Sequence, residues 1–231
     1  MQKMRDLLAI FHGMLDCKRT PQALRDWGGP LNGQLARQKL VLSILSQVNF
    51  SAIVETGSFR GCSTEFFSVI SRVPIHSIES NPRNFGFAKA RLIGRSNCNL
   101  HLGSSHQLLP SLLAGVIDTS LPVFFYLDAH WNQYLPLRDE IKTISELCPH
   151  FIALIDDFEV PSEPEYSWDD YGVNGALNYA YIKDLIKRYS LIARYPSTPA
   201  SMDTGSRRGS ILLASPSMID RVDQFPSIMS P

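Results

Sequence analysis

Apolar and polar positions along the chain fall into two regimes that change near residue 50. Before it, Leu35, Leu40, Val41, Ile44, Leu45 and Val48 recur at helical spacing, and the breaker clusters Thr20-Pro21 and Trp27-Gly28-Gly29-Pro30 interrupt an otherwise helical stretch. Residues 1–50 are therefore expected to form a helical cap that packs on a sheet edge, covers a ligand or serves as an oligomer surface. From residue 51, short apolar runs alternate with helical segments. Strand 51–55 precedes a helix to about residue 72, strand 75–79 a helix opening near Pro82, and strand 99–102 a helix over 106–114. Strand 122–128 precedes a helix over 136–147, and strand 151–156 closes the series. A long aromatic and acidic loop over 157–173 and a helix over 175–188 follow. Two apolar runs, 190–195 and 209–214, then come without a helix between them, which suits an antiparallel pair. The pattern predicts a doubly wound α/β fold around a mostly parallel sheet of seven strands, with a C-terminal antiparallel hairpin.

Ligands of such sheets sit at the carboxyl ends of the strands. Glu55, Glu79, Asp128 and Asp156 all fall at predicted strand ends. The stretch Ile53-Val54-Glu55-Thr56-Gly57-Ser58-Phe59-Arg60-Gly61-Cys62-Ser63 reads as a buried strand, a glycine-spaced turn and the start of a helix. Glycine at 57 and 61 lets a ligand approach backbone amides, and the helix amino terminus adds unsatisfied donors. Glu79 lies 22 positions after Gly57, where nucleotide-binding folds place an acid for the ribose hydroxyls. This arrangement suits NAD as well as an adenosyl ligand, except that the glycines lack the full GxGxxG spacing and Glu55 would repel a pyrophosphate.

Composition narrows the partners. The 22 basic and 22 acidic residues cancel, so no global field favours nucleic acid or an anionic membrane. Nowhere do eighteen apolar residues run together, and the amino-terminal segment, broken by Asp6 and His12-Gly13, makes a poor signal peptide. The expected protein is cytoplasmic, binds a small molecule and keeps Cys17, Cys62, Cys98 and Cys148 as reduced thiols, with homo-oligomerisation left open.

Over about residues 50–215 these motifs together resemble the class I S-adenosylmethionine-dependent methyltransferases, and within them the metal-assisted small-molecule O-methyltransferases of catechol and macrolide-sugar type. The segment Glu55 to Ser63 is similar to the family's first motif, Ile78-Glu79-Ser80-Asn81-Pro82 to its ribose-binding acid and turn, and Gly103 to Pro110 to the segment framing the adenine. Tyr126-Leu127-Asp128-Ala129-His130-Trp131, followed by Tyr134-Leu135-Pro136, resembles catechol O-methyltransferase, and Leu154-Ile155-Asp156-Asp157 the second metal-binding strand end. The resemblance implies a Rossmann-like methyltransferase domain over 51–231. In it Glu55 and the turn with Gly57, Ser58, Gly61 and Ser63 would hold the methionine part of S-adenosylmethionine, Glu79 the ribose, and Ser105 and His106 the adenine edge, with Asp128 a further cofactor-binding residue and, with His130, a catalytic one. Asp128, Asp156 and Asp157 would bind Mg2+. Three carboxylates converging at adjacent strand ends repel one another, and a hard cation with oxygen preference relieves that.

The chain departs from the catechol pattern at the base, because Asn132 stands where that family has a lysine and Ala129 is inserted between Asp128 and His130. His130 is the nearest replacement, since a neutral imidazole can take a hydroxyl proton; the same ring could instead pack or bond a loop. Asp157 could likewise be only a turn cap. Trp168 and Tyr171 are candidates for the acceptor pocket, and Arg207 and Arg208 for contacts to an anionic substrate or a solvated turn. The expected function is methyl transfer to a hydroxyl of a sugar, polyketide or phenol. The rivals are a metal-independent methyltransferase of the same fold, a non-catalytic adenosyl-binding scaffold and an NAD-dependent oxidoreductase.

Overall fold

A computed structural model describes residues 1–20, 22, 28–130, 135–172, 175–225 and 228–229. Pro21, Trp27, Trp131, Asn132 and Tyr134, which carried parts of the sequence reading, lie outside the described residues. The sheet strands are β1 (Ala52–Thr56), β2 (Ile75–Glu79), β3 (Cys98–Leu102), β4 (Val123–Leu127), β5 (Phe151–Asp156), β6 (Ile192–Pro196), β7 (Ser210–Ala214) and β8 (Ile228–Met229). Their spatial order is β3-β2-β1-β4-β5-β7-β6-β8. Strands β1 to β5 pair in parallel, whereas β7 is antiparallel to both β5 and β6. The short β8 is an eighth strand beyond the seven expected; it adds to the β6 edge through Tyr195↔Met229 and Pro196↔Ile228. Two residues of pairing leave almost no periodicity to read in the sequence.

Strands β1, β2, β4, β5 and β7 are buried at every position, because helices cover both faces of a parallel sheet; their sequences are accordingly near-continuous apolar runs. Neighbouring residues on one strand serve opposite faces. Val54, Phe125 and Ile155 join the core beneath α5 (Ser105–Gly115), α6 (Leu137–Leu147) and α7 (Tyr179–Tyr189). Ile53, Phe124, Tyr126 and Leu154 join the core on the other face, under α3 (Cys62–Ile70) and α2 (Leu35–Gln47). Leu40, Val41, Ile44 and Val48 belong to that second core, so α2 packs on a face of the sheet rather than at its edge. Leu35, at the start of the same pattern, is exposed.

Helix α1 (Gln2–Arg19) lies on α4 (Pro82–Arg91) at the β2–β3 side. Glycines set the approach: a Cβ on Gly13 would sit 1.9 Å from the Arg83 carbonyl oxygen, and one on Gly86 2.1 Å from that of Ile10. Met4, Leu7, Leu8 and Phe11 of α1 are left exposed. The four-residue α8 (Ile219–Val222) precedes the last strand. Among the described residues no helix is long and apolar enough to cross a membrane.

Candidate active site

A cavity of about 890 Å³ opens over the carboxyl ends of the strands, at the switch point between β1 and β4 where the strand order reverses. The turn after β1 forms its floor. Gly57 has φ +82°, and a Cβ there would come within 2.2 Å of the Asp128 carbonyl oxygen, so the exits of β1 and β4 approach as closely as they do only with glycine at this place. Gly61, at φ +73°, is the N-cap residue just before α3. Glu55 is 1% exposed and its carboxylate accepts hydrogen bonds from the Thr64 hydroxyl and, at 2.5 Å, the Ser77 hydroxyl. Burial pushes the Glu55 carboxyl up to about 7 against those two bonds, with the Glu79 charge adding to the rise.

Glu79 closes β2 and accepts from the backbone N–H of Phe59 at 2.6 Å and of Asn81 at 2.7 Å. Asn81 in turn caps α4, its side chain accepting from Arg83 and Asn84 N–H, with Pro82 in the first turn. The Glu79 carboxylate is thus fixed by a turn and a helix start at once. Burial pushes it up to about 7 even though the two N–H groups favour its charged form. Ser58 and Ser105 line the cavity; the buried Ser58 hydroxyl has no partner among the described residues, whereas the Ser105 hydroxyl lies near the buried Glu140 carboxyl. Ser63 accepts from Leu31 N–H at 3.0 Å, and His106, outside the cavity lining, bonds the Ser104 hydroxyl.

Asp128 lines the cavity next to the glycine turn. Its carboxyl is held well above the ordinary range by burial and then by the negative charges of Asp156, Asp157 and Glu55. Asp156 is fully buried and is not part of the lining. Its Oδ1 accepts from the Arg37 guanidinium and from Asp157 N–H at 2.8 Å, and its Oδ2 from Asn32 Nδ2 at 2.9 Å and from the Tyr126 hydroxyl. Asp157, at φ +54°, does face the cavity and is bound at 2.5 Å by Arg208 Nε, whose other arm reaches Asp169.

The three aspartates expected to gather round Mg2+ are therefore partitioned. Two are held by guanidiniums, only Asp128 and Asp157 face the cavity, and among the described residues no group of three or more His, Cys, Asp or Glu side chains is arranged to hold a metal. The donor set does not fit a divalent cation, because Asp156 has no lone pair left to offer.

His130 is 1% exposed and is not among the lining residues. Its Nε2–H donates to the Leu127 carbonyl at 3.1 Å, which leaves Nδ1 as a buried acceptor without a partner among the described residues. Burial lowers the ring to about 4, so it is neutral. Tyr171 reaches the cavity, its hydroxyl donating to the His130 carbonyl at 2.6 Å and lying beside Asp169, whereas Trp168 and Arg207 do not line it.

Sequence reasoning missed Arg37 and Asn32. Arg37 did leave a signal: it falls in phase with Val41, Ile44 and Val48 on the buried face of α2, and a charge on an apolar stripe needs a buried partner. Asn32 left none, since its position depends on the left-handed backbone at Leu31 and Asn32.

No family model matches the sequence, and no curated protein matches it. Solved structures do. The O-methyltransferase of Bacillus cereus in complex with S-adenosylhomocysteine is similar at a TM-score of 0.57, with 16% identity over 86% of this chain and 89% of that one. The O-methyltransferase TomG of Streptomyces achromogenes, involved in tomaymycin synthesis and solved with S-adenosylmethionine, gives 0.56, with 19% identity over 78% of each chain. Cofactor-bound Rv0187 from MTB gives 0.51, with 16% identity over 91% of this chain and 89% of that one. At these identities the likeness is one of fold: the chain has the fold of the class I S-adenosylmethionine-dependent methyltransferases.

Proposed function

We propose that the protein is an S-adenosylmethionine-dependent methyltransferase acting on a hydroxyl of a small molecule. The observation that carries the reading is the Glu79 carboxylate, clamped by Phe59 and Asn81 N–H at the end of β2 and open to the cavity beside the glycine turn. Two oxygens on one fixed carboxylate match the paired hydroxyls of a ribose. Bound S-adenosylmethionine would supply an electrophilic methyl on a sulfonium. The chain supplies the rest. Glu55, on β1, would face the amino group of the methionine part, the unpaired Ser58 hydroxyl would offer it a polar contact, and Ser105, at the start of α5, would lie at the adenine end. The outer part of the cavity, lined by Asn32, Asp157, Asp169, Tyr171 and Arg208, takes the acceptor.

Asp128 lines the cavity beside the glycine turn and is, in our reading, the group that takes the hydroxyl proton. His130 is read instead as a support whose ring holds the Leu127 carbonyl at the end of β4. O-methylation of a sugar, polyketide or phenol remains the substrate class this cavity serves in our reading, with Gly29 and Asn32 joining lining residues between Glu55 and Arg208.

The test is calorimetric titration of S-adenosylhomocysteine into wild type and Glu79→Ala. Micromolar binding, on the order of 8 kcal/mol, that falls at least about tenfold in the variant is expected. Equal affinity of the two proteins, or none in either, would remove the cofactor assignment.

A further inference from the structure

In a site of this fold a divalent cation would have to find its ligands at the ends of β4 and β5. The best placed of them, Asp156, is saturated. A carboxylate offers about four lone-pair sites, and here each is met by a donor: the Arg37 guanidinium and Asp157 N–H on Oδ1, Asn32 Nδ2 and the Tyr126 hydroxyl on Oδ2. Arg37 is not a passing contact. It is 5% exposed, and its second arm is bound by the Arg208 and Gly209 carbonyls, so the guanidinium is held between the end of β5 and the loop before β7. The neighbouring Asp157 is bound by Arg208, which also grips Asp169. Arg37 and Arg208 thus bring two fixed positive charges, as many as one divalent ion, to the Asp156, Asp157 and Asp169 carboxylates.

We propose that this site works without a divalent cation, with the Arg37 and Arg208 guanidiniums occupying its charge-balancing place. The proposal rests on the methyltransferase reading for its chemistry but on the Asp156 and Asp157 contacts for its geometry. Arg37 is then a positioning residue: it neutralises Asp156 and, because Asn32 binds the same carboxylate, ties the segment Pro30–Gly33 to the end of β5 at the cavity wall. Arg208 faces the cavity and is the cationic group an acceptor meets. Guanidiniums, unlike a metal ion, are always charged and fixed by their forks, so the site is assembled before any ligand arrives.

The experiment is Mn2+ titration of the full-length protein, followed by electron paramagnetic resonance of the free ion and by thermal melting, with and without S-adenosylhomocysteine. Wild type, Arg208→Ala, Arg208→Lys and Arg37→Ala are compared. Wild type should take up no Mn2+ at concentrations up to about 1 mM, a Kd weaker than that of a specific site, and its melting temperature should not respond to the ion. Arg208→Ala, which frees Asp157 and Asp169, should gain Mn2+ uptake and a melting temperature that rises with Mn2+, and Arg208→Lys should lose both again. Arg37→Ala should behave like Arg208→Ala where it folds; since it strands a buried carboxylate, the decision rests on the Arg208 pair. Saturable uptake by wild type, or its absence from a folded Arg208→Ala, overturns the proposal. If S-adenosylhomocysteine fails to bind, the cofactor reading falls while the metal titration of the unliganded protein still decides this one.

Discussion

Asp128 and His130 are two residues apart at the end of β4, yet the fold gives them opposite surroundings. The Asp128 carboxylate faces the cavity, and its proton affinity is raised by burial and by three nearby acids. The His130 ring is enclosed and tied to the chain by one hydrogen bond. The alternation of a strand end, followed by a turn, decides which of two chemically able groups meets a substrate. Asp128→Asn keeps the shape and removes the base, so in turnover assays on a hydroxylated acceptor it should lower kcat by about 10²- to 10⁴-fold, the usual worth of a general base. His130→Ala should act mainly on stability and leave most of kcat in the surviving folded fraction. The reverse ranking, measured as kcat corrected for folded protein, would return the proton to His130. Of the residues expected from the sequence, Glu55, Gly57, Ser58, Ser63, Glu79, Ser105, Asp128 and Asp157 line one cavity, whereas Gly61, His106, His130 and Asp156 lie outside its wall. Strand ends and glycine turns are local features that sequence patterns carry. Whether an aspartate one position earlier turns inward to a guanidinium depends on a helix more than a hundred residues away.

At the scale of elements, the turn between β1 and α3 holds the cavity floor, and two glycines separate its steric and conformational demands. Gly57 and Gly94 both adopt left-handed backbone, at φ +82° and +85°. A Cβ on Gly57 would strike the Asp128 carbonyl, whereas one on Gly94 meets nothing within 4 Å. Both alanine variants incur the cost of left-handed backbone, about 1–2 kcal/mol. Only Gly57→Ala also forces β1 and β4 apart, by a further cost of about 1–3 kcal/mol, and it should lose S-adenosylhomocysteine affinity as well. Urea melts of the two variants and their calorimetry check this; equal destabilisation with unchanged affinity would show that the β1–β4 approach is not what glycine 57 serves. The alternating strands and helices from residue 51 were legible because each strand is a short apolar run closed by an acid or a turn residue. Helix α2 was legible as a helix packed on the sheet edge but not as a layer over the central strands, because periodicity gives a face without naming what it covers.

For the whole molecule, the buried carboxyls set a pH dependence. Glu140 on α6 is fully buried, its oxygens have no hydrogen-bond partner within normal geometry among the described residues, and burial pushes it up to about 7, opposed by the nearby Ser105 and Thr56 hydroxyls. Its ordinary value is 4.5, so the folded state holds a proton that the unfolded state has released between those two values. Its contribution is therefore most favourable below about pH 4.5 and is lost as pH rises through about 7. His76 and His130, lowered to about 4 chiefly by burial, act oppositely, costing stability as pH falls below their ordinary 6.5. The comparison of wild type with Glu140→Gln isolates the first effect. The variant should gain stability relative to wild type on going from pH 5 to pH 8, by on the order of a few kcal/mol, in urea unfolding at each pH. A difference that is flat or runs the other way would mean that Glu140 is ionised and compensated in the fold.

By itself the sequence determined the parallel α/β series, the C-terminal hairpin and the acids that end β1, β2, β4 and β5, because burial on both faces, a change of strand direction and a glycine turn each leave a local mark. Only the tertiary structure decided the second partner of each acid. Arg37 reaches Asp156 across 119 positions and Arg208 reaches Asp157 across 51, and nothing in either segment alone announces the other. Ion pairs of this kind are fixed by where packed helices and loops deliver long side chains. Three neighbouring carboxylates that look like a cation site in the sequence become, once folded, two acids paired with guanidiniums and one, Asp128, that faces the cavity without such a pair.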